Sequence, residues 1–228
     1  MLSSEFFEKL RAGQKEFENI ELSYINFDGK NLKNFKIKNS KLVFSSMRHC
    51  SIENVIFENC EFFFFGFGHS TLKNTKFIGC QMDYGGFIEA IFNNTLMSNT
   101  KLSWSTFINA KLGGLEMKNC SEFKVFNNTS EITPSDMQQA MTDLKPLITK
   151  LDFDMQHHIN QQIESVANRM KVEMPQSTGL HSYGIKGTSQ SYAKFFDATI
   201  NSAIEAYGEK QSYKKTKGPY ESKSKYGK

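Results

Sequence analysis

The chain has 228 residues, with 28 Lys and Arg against 24 Asp and Glu for a net charge of +4. That is material for one large domain, or a domain with an appendage. No run approaches the ~18 apolar residues of a membrane span, and the start, "MLSSEFFEKLRAGQKEFENIEL", lacks a basic stretch followed by an apolar one. The four cysteines have no CxxC spacing, which points to neither a disulfide framework nor a zinc site, so a cytoplasmic chain is expected.

Residues 1–16 are expected to form an N-terminal cap. From Phe17, every fifth residue is apolar: Phe17, Leu22, Phe27, Leu32, Ile37, Leu42, Met47, Ile52, Phe57, Phe62, Phe67, Leu72, Phe77, Met82, Phe87, Phe92, Met97, Leu102, Phe107, Leu112 and Met117. The series breaks at Glu122. Neither a helix nor a flat strand has a period of five. The residue two places earlier is mostly small, as at Ser40, Ser45, Cys50, Cys60, Ser70, Thr75, Cys80, Ala90, Thr95 and Thr100.

This small-x-large-x-x unit resembles the pentapeptide-repeat family, over about residues 17–121. The Asp or Asn that the family usually carries before the large residue is largely absent here, being Asn only at 26 and 31. The resemblance implies a mainly β fold: a right-handed quadrilateral β-helix of about five coils, each with four pentapeptides. A helical segment (122–208) and a flexible Lys/Tyr-rich tail (209–228) follow. Stacked coils bury a continuous column of large residues that no single coil could bury alone.

With coils of twenty residues, positions twenty apart stack. Glu21, Lys41 and Glu61 form one column of alternating charge, Lys33, Glu53 and Lys73 another, and Lys38 stands over Glu58. In "CEFFFFGFG", Phe62, Phe65 and Phe67 then point inward while Phe63 and Phe64 point outward. Phe65 fills a normally small slot, compensated by Gly85 one coil later, and Gly66 and Gly86 are expected to supply backbone freedom. One outer column reads Tyr24, Phe44, Phe64, Tyr84, Trp104, with Phe63 beside it. An aromatic wall of this size marks these six residues as candidate partner-binding positions, unless the chain's own helices cover them.

Beyond residue 121 the pattern turns helical. "TPSDM" opens a helix, with apolar residues at Met137, Met141, Leu144, Ile148, Leu151 and Met155, then Ile159, Ile163, Val166 and Met170, and Pro146 is expected to kink or split it. A second amphipathic helix is expected over 191–207. The tail carries Lys210, Lys214, Lys215, Lys217, Lys223, Lys225 and Lys228 against two glutamates, an electrostatic candidate for an acidic partner.

No catalytic constellation has convincing spacing, so no enzyme, cofactor or metal site is expected. His157 and His158 are adjacent and face different ways on a helix, His49 and His69 stack on an outer column, and Cys60 and Cys80 belong to the inner small column. Two classes of function remain. One is a structural or protein-interaction module, a rigid rod with a helical docking segment that binds a protein partner or its own subunits. The resemblance implies the other: Qnr-type members mimic duplex DNA and bind DNA gyrase. Such mimicry needs an acidic rod, whereas residues 17–121 hold eleven Lys/Arg and nine Asp/Glu. Direct nucleic-acid binding by so balanced a rod is not expected.

Overall fold

The computed structural model describes residues 1–127, 134–148, 156, 157, 160, 161, 200, 201 and 203–205. The chain opens with helix α1 (Ser3–Arg11), which has Glu5 in its first turn and Lys9 and Arg11 in its last, complementing the helix dipole. Its buried Phe6 sits 4.5 Å from the ring of Phe17, 5.5 Å from Phe27 and 5.4 Å from Phe35. α1 thus plugs the first end of the rod with an aromatic side chain.

The strands form two stacks of parallel pairs. An eight-stranded sheet holds Glu16–Glu18, Asn31–Lys38, Ser51–Glu58, Thr71–Lys73, Lys76–Ile78, Ile91–Asn93, Thr95–Ser98 and Leu115–Lys118. A five-stranded sheet holds Lys41–Ser46, Glu61–Gly66, Gln81–Gly86, Lys101–Thr106 and Ser121–Phe126. Paired positions are twenty residues apart throughout, as in Glu16, Lys36, Ile56, Lys76, Leu96 and Glu116. Those six positions are six levels, one more than the five coils expected. Glu122 ends the apolar series but not the pairing, for Leu102 opposes Glu122 and Thr106 opposes Phe126. The fold is a parallel-strand β-solenoid.

Two local rules build each coil. First, the residue two places after nearly every inward position lies in the left-handed region, at φ between 48° and 59° for nineteen non-glycine residues, with Gly114 an exception. One such residue among extended neighbours turns the chain into the next wall. Ten of the nineteen are Asn, the side chain that tolerates this conformation best after glycine. Stacked amides then link coil to coil: Asn54 Nδ2 donates to Asn34 Oδ1 at 2.9 Å, Asn74 to Asn54 at 3.0 Å and Asn94 to Asn74 at 2.7 Å.

Second, the small inward residue donates to the carbonyl of the large residue 23 positions earlier. Ser45 reaches Leu22 at 2.5 Å, Ser70 reaches Met47 at 2.6 Å, Thr95 reaches Leu72 at 3.0 Å and Thr100 reaches Phe77 at 3.2 Å. A short hydroxyl both fits the slot and finds a partner where an unpaired one would be costly. Cys50, Cys60 and Cys80 are buried in the same kind of slot, each with its thiol toward a carbonyl 23 residues back.

Every large inward residue from Phe17 to Phe107 is at most 6% exposed. In the run of phenylalanines, Phe62, Phe65 and Phe67 are buried in the core and their rings contact one another. Gly66 and Gly86 serve differently from expectation. Neither has a positive φ; a Cβ on Gly86 would come within 2.2 Å of Thr106 Oγ1 and 2.7 Å of its carbonyl oxygen, so the glycine supplies space.

The charge columns are partly as expected. Glu53 lies between Lys33 (3.1 Å) and Lys73 (2.6 Å), and Lys41 meets Glu61 at 3.3 Å. Lys38, however, reaches back to Glu16 at 3.2 Å, while Glu58 pairs with Lys36 on its own sheet face. These pairs are solvent-exposed and set register more than stability.

Candidate functional site: an aromatic wall beneath a helix

The wall residues occupy the left-handed turning position, with φ of 58° at Tyr24, 50° at Phe44, 49° at Phe64, 54° at Tyr84 and 50° at Trp104. For a bulky side chain that conformation costs roughly 1–2 kcal/mol. On the other walls Asn, Gly or His commonly stands there. The rings must therefore gain more from burial and stacking than the backbone loses, and the geometry provides both.

Successive rings are parallel. Tyr24 and Phe44 are 5.6 Å apart at 11°, Phe44 and Phe64 5.0 Å at 12°, Phe64 and Tyr84 5.6 Å at 15°, and Tyr84 and Trp104 6.3 Å at 18°. Phe63, on the next column, sets its edge against Phe44, Phe64 and Tyr84. Phe123 does the same to Trp104 at 5.7 Å. Each aromatic pair is worth about 0.5–1.5 kcal/mol beyond its burial, and burial of a Phe-sized side chain about 1.5–3 kcal/mol, so the rings outweigh the strain.

The structure brings all six candidate residues together but does not leave them open. Phe44, Phe64, Tyr84 and Trp104 are buried, and Tyr24 and Phe63 are half-buried. Helix α2 (Pro134–Ile148) lies against the lower half of the wall. It starts on Pro134, whose missing N–H is harmless in the first turn, and holds Pro146, where a kink or split was expected, two residues before its end at Ile148. Tyr84 donates its hydroxyl to the Ala140 carbonyl at 3.1 Å, and Trp104 donates its indole N–H to Asp143 Oδ2 at 3.2 Å. Gln139 Nε2 holds the other Asp143 oxygen at 2.6 Å, and Lys124 pairs with Asp136 in the first turn of α2.

A second contact lies on the neighbouring column, where Ser46, Gly66, Gly86 and Thr106 make a strip of small, buried residues. Ile200 sits on it, with its Cδ1 3.6 Å from a notional Cβ on Gly66; Ile200 and Ala203 are buried. Arg48 fixes this contact from the side. Its Nη2 donates to Asn201 Oδ1 at 2.5 Å and to Asp28 Oδ2 at 3.0 Å, and its Nε donates to Ser46 Oγ at 3.0 Å. The polar holders Arg48, Asp143 and Asn201 were not singled out from the sequence, and Asp136 only as part of the helix start. The small column at 46, 66, 86 and 106 was the available signal for close approach.

Covering the wall also changes its electrostatics. Burial holds the Asp83 carboxyl above the usual carboxylate range, with hydrogen bonds from Gln81 and Ser103 opposing it. Burial likewise raises the Tyr84 phenol, and the charges of Asp143 and Asp83 add to that.

The other candidates lie apart from this site. His49 and His69 stack at 4.7 Å on a different wall, and His69 Nδ1 is 3.1 Å from Glu89. His157 contacts Gln161. Among the described residues no group of three His, Cys, Asp or Glu could hold a metal ion, and no helix is long and apolar enough to cross a membrane. The tail lysines, the helix candidates from Leu151 to Met155 and from Ile159 to Met170, and most of the 191–207 helix fall outside the described residues.

No family model matches the chain, and no curated protein sequence matches it. Among solved structures, it is similar to HetL, a pentapeptide repeat protein involved in heterocyst differentiation regulation from the cyanobacterium Nostoc. The TM-score is 0.41 at 11% identity, over 48% of this chain and 53% of that one, so the match spans about half of HetL. It is also similar to QnrB1, a plasmid-mediated fluoroquinolone resistance protein, with TM-score 0.33 at 12% identity over 57% of this chain and 88% of that one.

Proposed function

We propose that this chain is a non-catalytic interaction module, in which a rigid β-solenoid mounts a helical docking segment for a macromolecular partner. The observation that carries this is the aromatic wall. Five rings are placed at strained turning positions along one wall only, and the chain's own helix is seated on them by Tyr84 and Trp104. Such a mount fixes the direction in which the helical segment leaves the rod. Tyr24, Phe44, Phe63, Phe64, Tyr84 and Trp104 then act on a partner by holding that segment, or by meeting the partner directly when the segment lifts. The lysines of 209–228 add attraction to an acidic partner.

A pull-down with the full chain tests this against Phe64→Ser/Trp104→Ser and against a chain lacking 209–228. Partners retained by wild type and lost by the wall variant support the module; identical partner sets for all three overturn it. The competing reading, a DNA mimic acting on gyrase, is weakened by the alternating ion pairs on the rod's faces, such as Lys33–Glu53–Lys73. Inhibition of gyrase supercoiling at stoichiometric protein would establish that reading in place of this one.

A further inference from the structure

The two ends of the rod differ. α1 closes the first end with Phe6. At the other end the inward residues of the last level are exposed, Leu112 by 43% and Met117 by 36%, and the outward Phe123 beside them by 50%. Among the described residues no strand pairs with the outer edge of Leu115–Lys118 or of Ser121–Phe126. An apolar end flanked by open strand edges is a surface on which another β-coil could stack. Because α1 covers the first end, the matching open surface on a second copy is the same C-terminal end, which would give a closed two-fold pair.

One residue opposes that pair. The inward series on the aromatic-wall side runs Leu22, Leu42, Phe62, Met82, Leu102, and then Glu122, directly opposite Leu102 in the register. Glu122 forms no hydrogen bond or ion pair among the described residues. Of the cations near it, Lys124 pairs with Asp136 and Lys118 with Glu116.

We propose that Glu122 is a stop charge that closes the C-terminal end of the rod to stacking by a second copy. Stacking would take its carboxylate out of water, unpaired, into the apolar column beneath Leu102, and would set it against the partner end that carries the same charge. Position is what matters. A residue at 121 or 123 points outward and stays in solvent when coils stack, whereas 122 cannot.

The experiment is sedimentation velocity on the full chain, from low micromolar to hundreds of micromolar, for wild type, Glu122→Leu, Ser121→Leu, Met117→Lys and Glu122→Leu/Met117→Lys. Far-UV circular dichroism confirms that each variant keeps the solenoid. Glu122→Leu is expected to gain a dimer, with association stronger by roughly a hundredfold or more. Ser121→Leu should sediment as wild type, and adding Met117→Lys should abolish the gain. The proposal is overturned if Glu122→Leu sediments as wild type throughout, if Ser121→Leu associates as strongly, or if wild type already forms a dimer that Met117→Lys dissolves.

Discussion

Phe65 and Gly85 face each other across adjacent coils, and a Cβ at position 85 would lie 2.6 Å from Phe65 Cδ1 and 2.2 Å from the Phe65 carbonyl oxygen. The second contact is with backbone and cannot be relieved by a rotamer change. Gly85→Ala should therefore destabilise the rod by about 1–3 kcal/mol. Trimming the ring in Phe65→Leu/Gly85→Ala should not restore it. Chemical denaturation of the three proteins checks both statements.

The indole of Trp104, the chain's one tryptophan, is buried and donates to Asp143. Its emission should be blue-shifted and protected from acrylamide. Asp143→Ala removes one hydrogen bond, costs about 0.5–1.5 kcal/mol and should raise the quenching constant. Unchanged quenching would mean that α2 is not held through this contact.

Asp83 sets a pH dependence of definite sign. Its folded-state value is raised by burial, so the folded chain binds this proton more tightly than the unfolded chain does. The contribution is most favourable below the ordinary carboxylate range and is lost as pH rises through the raised value. Asp83→Asn should stabilise the protein near neutral pH, with a gain that shrinks on acidification. Glu53 and Glu58 act oppositely. Their values are lowered by hydrogen bonds from Lys73 and Lys36, so their contribution is lost as pH falls. The difference between Asp83→Asn and wild type isolates the buried group.

The thiols should separate into two classes. Cys50 is buried, which pushes its thiol up to about 11, and Cys60 and Cys80 are also buried; Cys120 is half-buried near the open end. A thiol reagent on the native protein should modify Cys120 first, and Cys120→Ser should remove the fast phase. A fast phase that survives in Cys120→Ser would contradict the packing of the other three.

Much of this was legible before any coordinates, because a solenoid repeats its instructions. Phe62, Phe65 and Phe67 could be assigned inward, and Tyr24 to Trp104 to one wall, by counting alone. What could not be counted was whatever happens once. The Trp104–Asp143 and Arg48–Asn201 contacts join repeat to non-repeat, so no period announces them. Lys38 chose Glu16 over Glu58 because a flexible side chain can reach either neighbouring level, and Lys36 was the competitor for Glu58. The strand Ser121–Phe126, inside the segment expected to be helical from 122, was missed because Glu122 breaks the apolar series while leaving the backbone pairing intact.

The left-handed residue at every fifth position gives the rod something like a reading frame. Its side chains are assigned to inside or outside by a count of five, but to a particular wall only by a count of twenty. Loss of five residues, such as 71–75, would keep the later residues correctly inside or outside and yet turn them all by a quarter. Tyr84 and Trp104 would then leave the line of Phe64, and the bed for α2 would be split between two walls. Loss of a whole coil would shorten the rod and keep that bed continuous. Length can vary in such a molecule without harm to its mount, provided that it varies in steps of a full coil.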